Sequence, residues 1–163
     1  MISNLLNSSL KHVWQALVII IVTVLASRIS YKICNKQKIV LYEEFYILLS
    51  VTYLIMLYEL VTRVDYNTLG GGINIIPFAE ILRYKISSHL FLLNVIGNIL
   101  LFVPFGFIIS SYVKPNKFYL PVLISFLVSI TIEFVQLNIG RSFDVDDIIL
   151  NTIGATFGLS LIH

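Results

Sequence analysis

The stretch HLFLLNVIGNILLFVPFGFIISSYV, residues 89–113, decides what kind of fold this chain can form. It contains no Asp, Glu, Lys or Arg over its whole length. A helix needs about 20 mostly apolar residues to cross the hydrocarbon core of a bilayer. We therefore predict that this stretch is a membrane-spanning helix.

The rest of the chain also has the composition of a membrane protein. Of its 163 residues, 58% are hydrophobic and 12% are charged, and the mean hydropathy is +0.91. A soluble domain has about 25% charged residues, so this chain has too little polar surface to coat a globule in water. The composition also excludes a disordered protein, and the single Cys34 excludes an internal disulfide and a multi-cysteine zinc site. With a net charge of +2 and dispersed basic residues, nothing indicates nucleic-acid binding.

Four further stretches are long and apolar enough to cross a membrane. With residues 89–113 they predict an all-α, polytopic membrane protein of about five transmembrane helices. The other predicted spans are residues 13–33, 45–61, 118–138 and 147–163. A short interfacial helix is expected in the second connection, where Gly72 and Pro77 precede residues 79–83. We expect one membrane domain, in which residues 1–44 form an extra helix with a cytoplasmic loop and residues 45–163 form the core.

The charges of the connections predict an orientation. Only Lys11 precedes the first span, whereas Arg28, Lys32, Lys36 and Lys38 follow or end it, which is the reverse of a cleaved signal peptide. The positive-inside rule places this loop, and the loop with Lys114 and Lys117, in the cytoplasm. Five basic residues then remain outside: Lys11, Arg63, Arg83, Lys85 and Arg141. We predict that the N-terminus is outside and the C-terminus inside.

Polar side chains concentrate at the helix ends that share one membrane face. With five crossings, the second and fourth spans end, and the third and fifth begin, at the same face. The polar side chains there are Glu59, Arg63, Asn94, Asn98, Glu133, Gln136, Arg141, Asp144, Asp147 and Asn151. A charged side chain within a membrane helix costs about 2.5–3.5 kcal/mol on insertion scales, so such clustering is not expected by chance. We predict one polar pocket, open to the outer face on the predicted orientation.

The spacings place these side chains on shared helix faces. The residues that share a face are Asn94 with Asn98, Glu133 with Gln136, and Asp147 with Asn151, Gly154 and Gly158. The last of these faces has polar side chains at the beginning of the helix and glycines further along it. We expect a neighbouring helix to pack closely against its small part.

Ordinary structural roles compete with the functional interpretation of the acids. Asp144 could be the N-cap of the fifth helix, with Asp146 and Asp147 in its first turn, where the helix dipole favours negative charge. Asp146 lies off the patterned face, which favours the structural role for it. Glu133 needs a partner inside a helix, and an ion pair with Arg141 would supply one.

At these residues the sequence resembles the VanZ-like family of membrane proteins, named for a teicoplanin-resistance protein. The matching elements are Asn74-x-x-Pro77-Phe78, Asn94-x-x-Gly97-Asn98-x-x-x-Phe102-x-Pro104-x-Gly106, Glu133-x-x-Gln136 and Arg141-x-x-Asp144-x-x-Asp147-x-x-x-Asn151-x-x-Gly154-x-x-x-Gly158. They cover the chain from about Phe45 to its end. The resemblance implies a multi-pass protein of the bacterial cytoplasmic membrane whose relatives are associated with reduced susceptibility to teicoplanin-type lipoglycopeptides. The resemblance indicates a resistance phenotype but does not identify a chemical reaction.

The first functional hypothesis is a non-catalytic envelope protein. Its pocket would bind the polar head of a membrane lipid or a lipid-linked wall precursor, or compete with a lipoglycopeptide for access to it. Arg141, with Arg83 or Lys85, would hold phosphate groups, and asparagines would contact sugar or peptide amides. The predicted ligand-binding residues are Asn94, Asn98, Glu133, Gln136, Arg141, Asp144, Asp147 and Asn151.

The second hypothesis is an intramembrane enzyme that modifies an envelope lipid, and the third is a structural scaffold. Glu133, Asp144 and Asp147 are the catalytic candidates; their oxygens suit Mg²⁺ or Ca²⁺ as a cofactor, or Glu133 could be a general base. No serine nucleophile elbow, phosphate-binding glycine loop or metalloprotease helix is present in the sequence. The sequence therefore favours binding over catalysis and leaves the oligomeric state open.

Overall fold

A computed structural model describes residues 2–62, 71–84, 86, 88–113, 117 and 119–162, with side chains from residue 17 onward. The chain divides into two compact units, Met1–Met56 and Leu57–His163, whereas the sequence motifs placed the start of the core at residue 45. The basic residues Arg63, Lys85 and Lys114, used in the charge count, lie outside the described residues. The side chain of Lys11 does as well.

The first unit is built from two long helices. Helix α1 runs from Ile2 to Cys34, and helix α2 from Leu41 to Thr62, so that α2 continues into the second unit. Acidic residues in the first turn of α2 are favoured by the helix dipole. One of them, Glu44, pairs with Arg28 of α1, with 2.9 Å between Oε2 and Nε. This ion pair connects the end of α1 to the beginning of α2.

The second unit contains three longer helices and a small connecting structure. Helix α4, His89–Ser111, includes a π-helical turn at Leu92–Ile96 and Pro104. Helix α5 is Tyr119–Asn138, and helix α6 is Val145–Ser160. Helix α6 packs against both α4 and α5, and most extensively against α4. Buried side chains such as Phe102 and Ile148 form the apolar core between these helices.

Four helices of the described residues are long and apolar enough to cross a membrane. They are Leu17–Cys34, Leu41–Thr62, His89–Ser111 and Tyr119–Asn138. The prediction of an all-α polytopic membrane protein is confirmed. The predicted fifth span is also a helix, but α6 has only 16 residues. At 1.5 Å per residue it is about 24 Å long, which is shorter than the roughly 30 Å hydrocarbon core.

The connection between α2 and α4 folds back onto the loop that precedes α6. Its strand β1, Ile73–Asn74, pairs in parallel with strand β2, Phe143–Asp144. The short helix expected in this connection is present as α3, Ala79–Arg83. Because β2 leads directly into α6, this pairing brings the connection to the first turn of α6.

Candidate functional site

Glu133 is the buried centre of a polar cluster in the second unit. It lies in the last turns of α5 and is 1% exposed. One carboxylate oxygen, Oε2, accepts a hydrogen bond from the backbone N–H of Asp144 at 2.9 Å. The other, Oε1, accepts from the side-chain amide of Gln136 at 3.1 Å when that amide is oriented to satisfy both neighbours. The carboxylate of α5 therefore fixes the chain at the beginning of α6.

Arg141 reaches Glu133 through Gln136. In the same amide orientation, Gln136 Oε1 accepts from Arg141 Nη1 at 3.0 Å. Arg141 Nη1 also lies 3.5 Å from the backbone oxygen of Val61. Arg141 forms no ion pair with any described residue. The direct Glu133–Arg141 ion pair considered from the sequence is therefore replaced by a bridge through a neutral amide.

Asp144 links three parts of the second unit. Its Oδ1 accepts from the backbone N–H of Asp146 at 2.9 Å, so it is the N-cap of α6, as the sequence indicated. Both carboxylate oxygens lie 3.2 Å from Nδ2 of Asn74, across the β1–β2 pair. Burial raises the pKa of Asp144, and the hydrogen bonds from Asp146 and Asn74 oppose that rise.

Asp146 has a role that the sequence did not suggest. It is completely buried, and its carboxylate accepts from the backbone N–H groups of Phe78, of Glu80 at 2.8 Å and of Ile81 at 3.2 Å. These are the first amides of α3, whose own N-cap residue, Phe78, provides no side-chain acceptor. Because α3 has no capping side chain of its own, its first amides need an acceptor from another part of the fold. Asp146 therefore holds α3 against the first turn of α6.

Asn98 belongs to the cluster, whereas Asn94 does not bond to it. Asn98 Nδ2 donates to Asp147 Oδ1 at 2.6 Å, joining α4 to α6. Asn94 is exposed and has no hydrogen bond to a described side chain of the cluster. Asn94 lies within the π-helical turn Leu92–Ile96, and Asn98 lies in the α-helical segment that follows it. A π turn takes more than the usual 3.6 residues, so residues four apart no longer share one stripe.

Asn151 lies one turn further along α6. Its Nδ2 donates to the hydroxyl of Ser129 on α5 at 2.9 Å. Asn151 is 4% exposed, and its Oδ1 has no hydrogen-bond partner among the described residues. The predicted single face of α6 is thus divided, since Asp147 bonds to α4 and Asn151 to α5.

Helix α3 brings further polar groups to the cluster. Glu80 accepts from Arg83, with 2.9 Å between Oε1 and Nη1, so the basic residue expected to hold phosphate is paired and largely exposed. Burial, and then the negative charge of Glu80, raise the pKa of the Tyr84 phenol. Asp147 contributes to the same effect, which places Tyr84 within electrostatic range of the Asn98–Asp147 pair.

The described residues contain no group of three His, Cys, Asp or Glu side chains that could hold a metal ion. The three carboxylates considered as ligands are instead bound to different partners. Glu133 and Asp144 accept backbone N–H groups, and Asp147 accepts the amide of Asn98. The described side chains thus provide no ready cage for Mg²⁺ or Ca²⁺, which need six or more oxygen ligands.

The comparison with protein-family models agrees with the sequence motifs. The VanZ/LLP1 family model matches residues 12–163 and therefore includes the first span, which the quoted motifs left outside the core. Neither the curated proteins nor the solved structures that were compared include a significant match. A family match of this extent covers more than half of the chain. This chain therefore belongs to the VanZ/LLP1 family.

Proposed function

We propose that this VanZ/LLP1 protein is a non-catalytic envelope protein. Its polar cluster would bind the headgroup of an envelope lipid or a lipid-linked wall precursor at the outer face of the bacterial cytoplasmic membrane. By occupying that headgroup, or by competing with a lipoglycopeptide for access to it, the protein would lower susceptibility to teicoplanin.

Arg141 is the observation that carries the proposal. Its guanidinium has five N–H donors, and in the described part of the chain only Nη1 has partners, both of them neutral oxygens. Arg141 is half-buried and forms no direct ion pair with a described acid, although the carboxyl groups of Glu133 and Asp147 are within electrostatic range of it. Its planar fork matches a phosphate, which would bind through the N–H groups that Gln136 and Val61 do not accept. The proposed ligand group is therefore a phosphate or diphosphate.

The surrounding acids support binding more than catalysis. Glu133, Asp144 and Asp146 are all buried and each accepts at least one backbone N–H, so each has a structural role: Glu133 holds the loop that follows Arg141, Asp144 caps α6, and Asp146 holds α3. A general base needs a free acceptor within reach of the proton that it removes. Both carboxylate oxygens of Glu133, the candidate base, already accept hydrogen bonds. The half-buried pair of Asn98 and Asp147 is better placed to contact hydroxyl or amide groups of a ligand.

Drug susceptibility in a susceptible Gram-positive host tests the proposal. Expression of the wild-type chain should raise the inhibitory concentration of teicoplanin more than that of vancomycin. Arg141→Gln should abolish this effect, because losing a charge-assisted hydrogen bond weakens headgroup binding by about tenfold or more. Lys117→Gln, which removes an exposed charge from the α4–α5 connection, is the matched control and should behave as wild type.

Membrane levels of each variant are measured by immunoblot in the same cells. If Arg141→Gln protein accumulates normally and still protects against teicoplanin, the binding role of Arg141 is wrong. An equal change for teicoplanin and vancomycin would instead indicate a general effect on the wall, and it would contradict the proposed selectivity.

A further inference from the structure

The first unit contains a cavity that the proposed function does not use. Its volume is about 340 Å³, and its lining residues are Ser27, Arg28, Tyr31, Lys32 and Gln37. Four of them belong to the last turns of α1, and Gln37 follows in the connection to α2. Because Cys34 ends a candidate membrane span, the cavity lies where the headgroups of one leaflet are found.

Ion pairs hold two cations at the wall of this cavity. Lys32 is 9% exposed, and its Nζ lies 2.9 Å from Glu43 Oε2 and 2.6 Å from Glu44 Oε1. Arg28 Nε lies 2.9 Å from Glu44 Oε2. These pairs fix both long side chains in place, so a ligand does not pay for ordering them when it binds.

The segment around the cavity remains positive after these pairs are formed. Residues 28–44 contain four basic and two acidic side chains. The two additional basic residues, Lys36 and Lys38, are exposed and form no ion pair with a described residue. Basic residues near a membrane surface attract anionic lipid.

The lining groups suit a phosphate. Arg28 and Lys32 line the cavity with their charges shared by Glu43 and Glu44, and the exposed Lys36 and Lys38 nearby add positive charge that these acids do not neutralise. Tyr31 and Gln37 add a phenol and an amide that can donate hydrogen bonds. Phosphate oxygens are strong acceptors, and they bind arginine through paired N–H groups. Basic pockets at the ends of membrane helices are suited to phosphate-bearing headgroups. We propose that this cavity binds the phosphate of an anionic phospholipid headgroup.

Lipid-dependent thermal stability of the purified full chain in detergent tests this site. Phosphatidylglycerol should raise the Tm of the wild type, and phosphatidylcholine should not. The double variant Arg28→Gln/Glu44→Gln removes an ion pair without altering the net charge of the chain, so it leaves nonspecific attraction unchanged. We expect it to weaken phosphatidylglycerol binding by about tenfold, the effect of losing one charge-assisted contact.

Lys117→Gln is the control, because it removes an exposed positive charge that does not line the cavity. It should keep the full Tm shift. An equal loss in Lys117→Gln, or an unchanged shift in the double variant, would overturn the proposal. Should the double variant fail to fold, Tyr31→Phe removes one exposed cavity hydroxyl and must still weaken binding. A shift of the same size with inorganic phosphate or glycerol 1-phosphate would show that the ligand is a free phosphate compound and not a lipid.

Discussion

Asp146 shows how little the position of a residue in the sequence can say about its contacts. The sequence places it in the first turn of α6, where an acid is favoured by the helix dipole. Its carboxylate instead accepts three amides from a segment 65 to 68 residues earlier in the chain. The capping of α6 by Asp144 was predictable because it is local, whereas this contact depends on the β1–β2 pairing, which leaves no pattern in the sequence.

Replacing Asp146 with Asn should release α3. The amide side chain has one acceptor oxygen and no charge, so at least one of the three buried N–H groups would lose its partner. We expect the free energy of unfolding to fall by about 1–3 kcal/mol. Hydrogen exchange of the Phe78, Glu80 and Ile81 amides should accelerate, as measured by mass spectrometry of the purified protein. Asp147→Asn, whose side chain bonds to Asn98 and not to α3, is the control and should leave these amides protected.

Asn94 and Asn98 show the limit of spacing arguments at the residue scale. Both were predicted to reach the polar pocket because an α-helix places residues four apart on one stripe. In the structure Asn98 bonds to Asp147, whereas Asn94 lies within the π-helical turn and is exposed. Nothing in the residues 92–96 themselves distinguishes a π turn from an ordinary one, so the difference arises from tertiary packing.

Alanine substitutions at the two asparagines should therefore differ in effect. Asn98→Ala removes the partner of Asp147 and should lower the free energy of unfolding by about 1–3 kcal/mol. Asn94→Ala removes an exposed side chain and should change it by less than about 0.5 kcal/mol. Thermal unfolding of the two variants in the same detergent makes the comparison. Equal losses would mean that Asn94 also has a buried partner.

At the scale of the elements, α6 packs against α4 through glycines, so the backbones of the two helices are in direct contact. A Cβ atom at Gly106 would overlap the backbone of Ala155, and a Cβ at Gly154 would overlap the backbone of Ile99. The small face of α6 was predicted from the spacing of its glycines, and this close packing is confirmed. The partner helix was not predictable, because the spacing of these glycines does not show which helix packs against them.

Gly154→Ala should strongly destabilise the second unit. The added methyl group meets backbone atoms, which cannot rotate away, so α4 and α6 must separate. We expect a loss of about 1–3 kcal/mol or more, typical of an overpacked core. Gly72→Ala is the matched control, since a Cβ there meets no atom within 4 Å. A Tm for Gly154→Ala within error of the control would mean that the helices are not in backbone contact.

At the scale of the whole molecule, composition and span length were sufficient to predict a helical membrane protein. The same information did not give the number of crossings, because α6 is helical but has only 16 residues. Its polar first turn is part of the cluster, and two of its faces pack on α4 and α5. Ile153 and Phe157 remain exposed on another face, as expected for a helix that also contacts lipid. The polar groups of its first turn are satisfied by protein, so its apolar part is shorter than that of the other spans.

Cysteine labelling can determine the orientation. Cys34 is the single cysteine and is exposed, so a membrane-impermeant maleimide should label it only from the cytoplasmic side, as the charges around it predict. In a Cys34→Ser background, Ile162→Cys should also be labelled from the cytoplasmic side, because we expect α6 to cross. Labelling of Cys34 from outside would place the polar cluster in the cytoplasm and would contradict the proposed outer-face function. Labelling of the Ile162→Cys variant from outside would mean that α6 does not cross.

The pairing of β1 with β2 also has a consequence for biogenesis. The partner of Asn74 is Asp144, which lies 70 residues later in the chain, and the amides of α3 bond to Asp146, which is also synthesised later. During translation the first two spans can enter the bilayer long before those partners have left the ribosome. Until then these amides have no partner within the chain, so the connection cannot adopt its final fold. Folding of this connection therefore has to follow synthesis of the final helix.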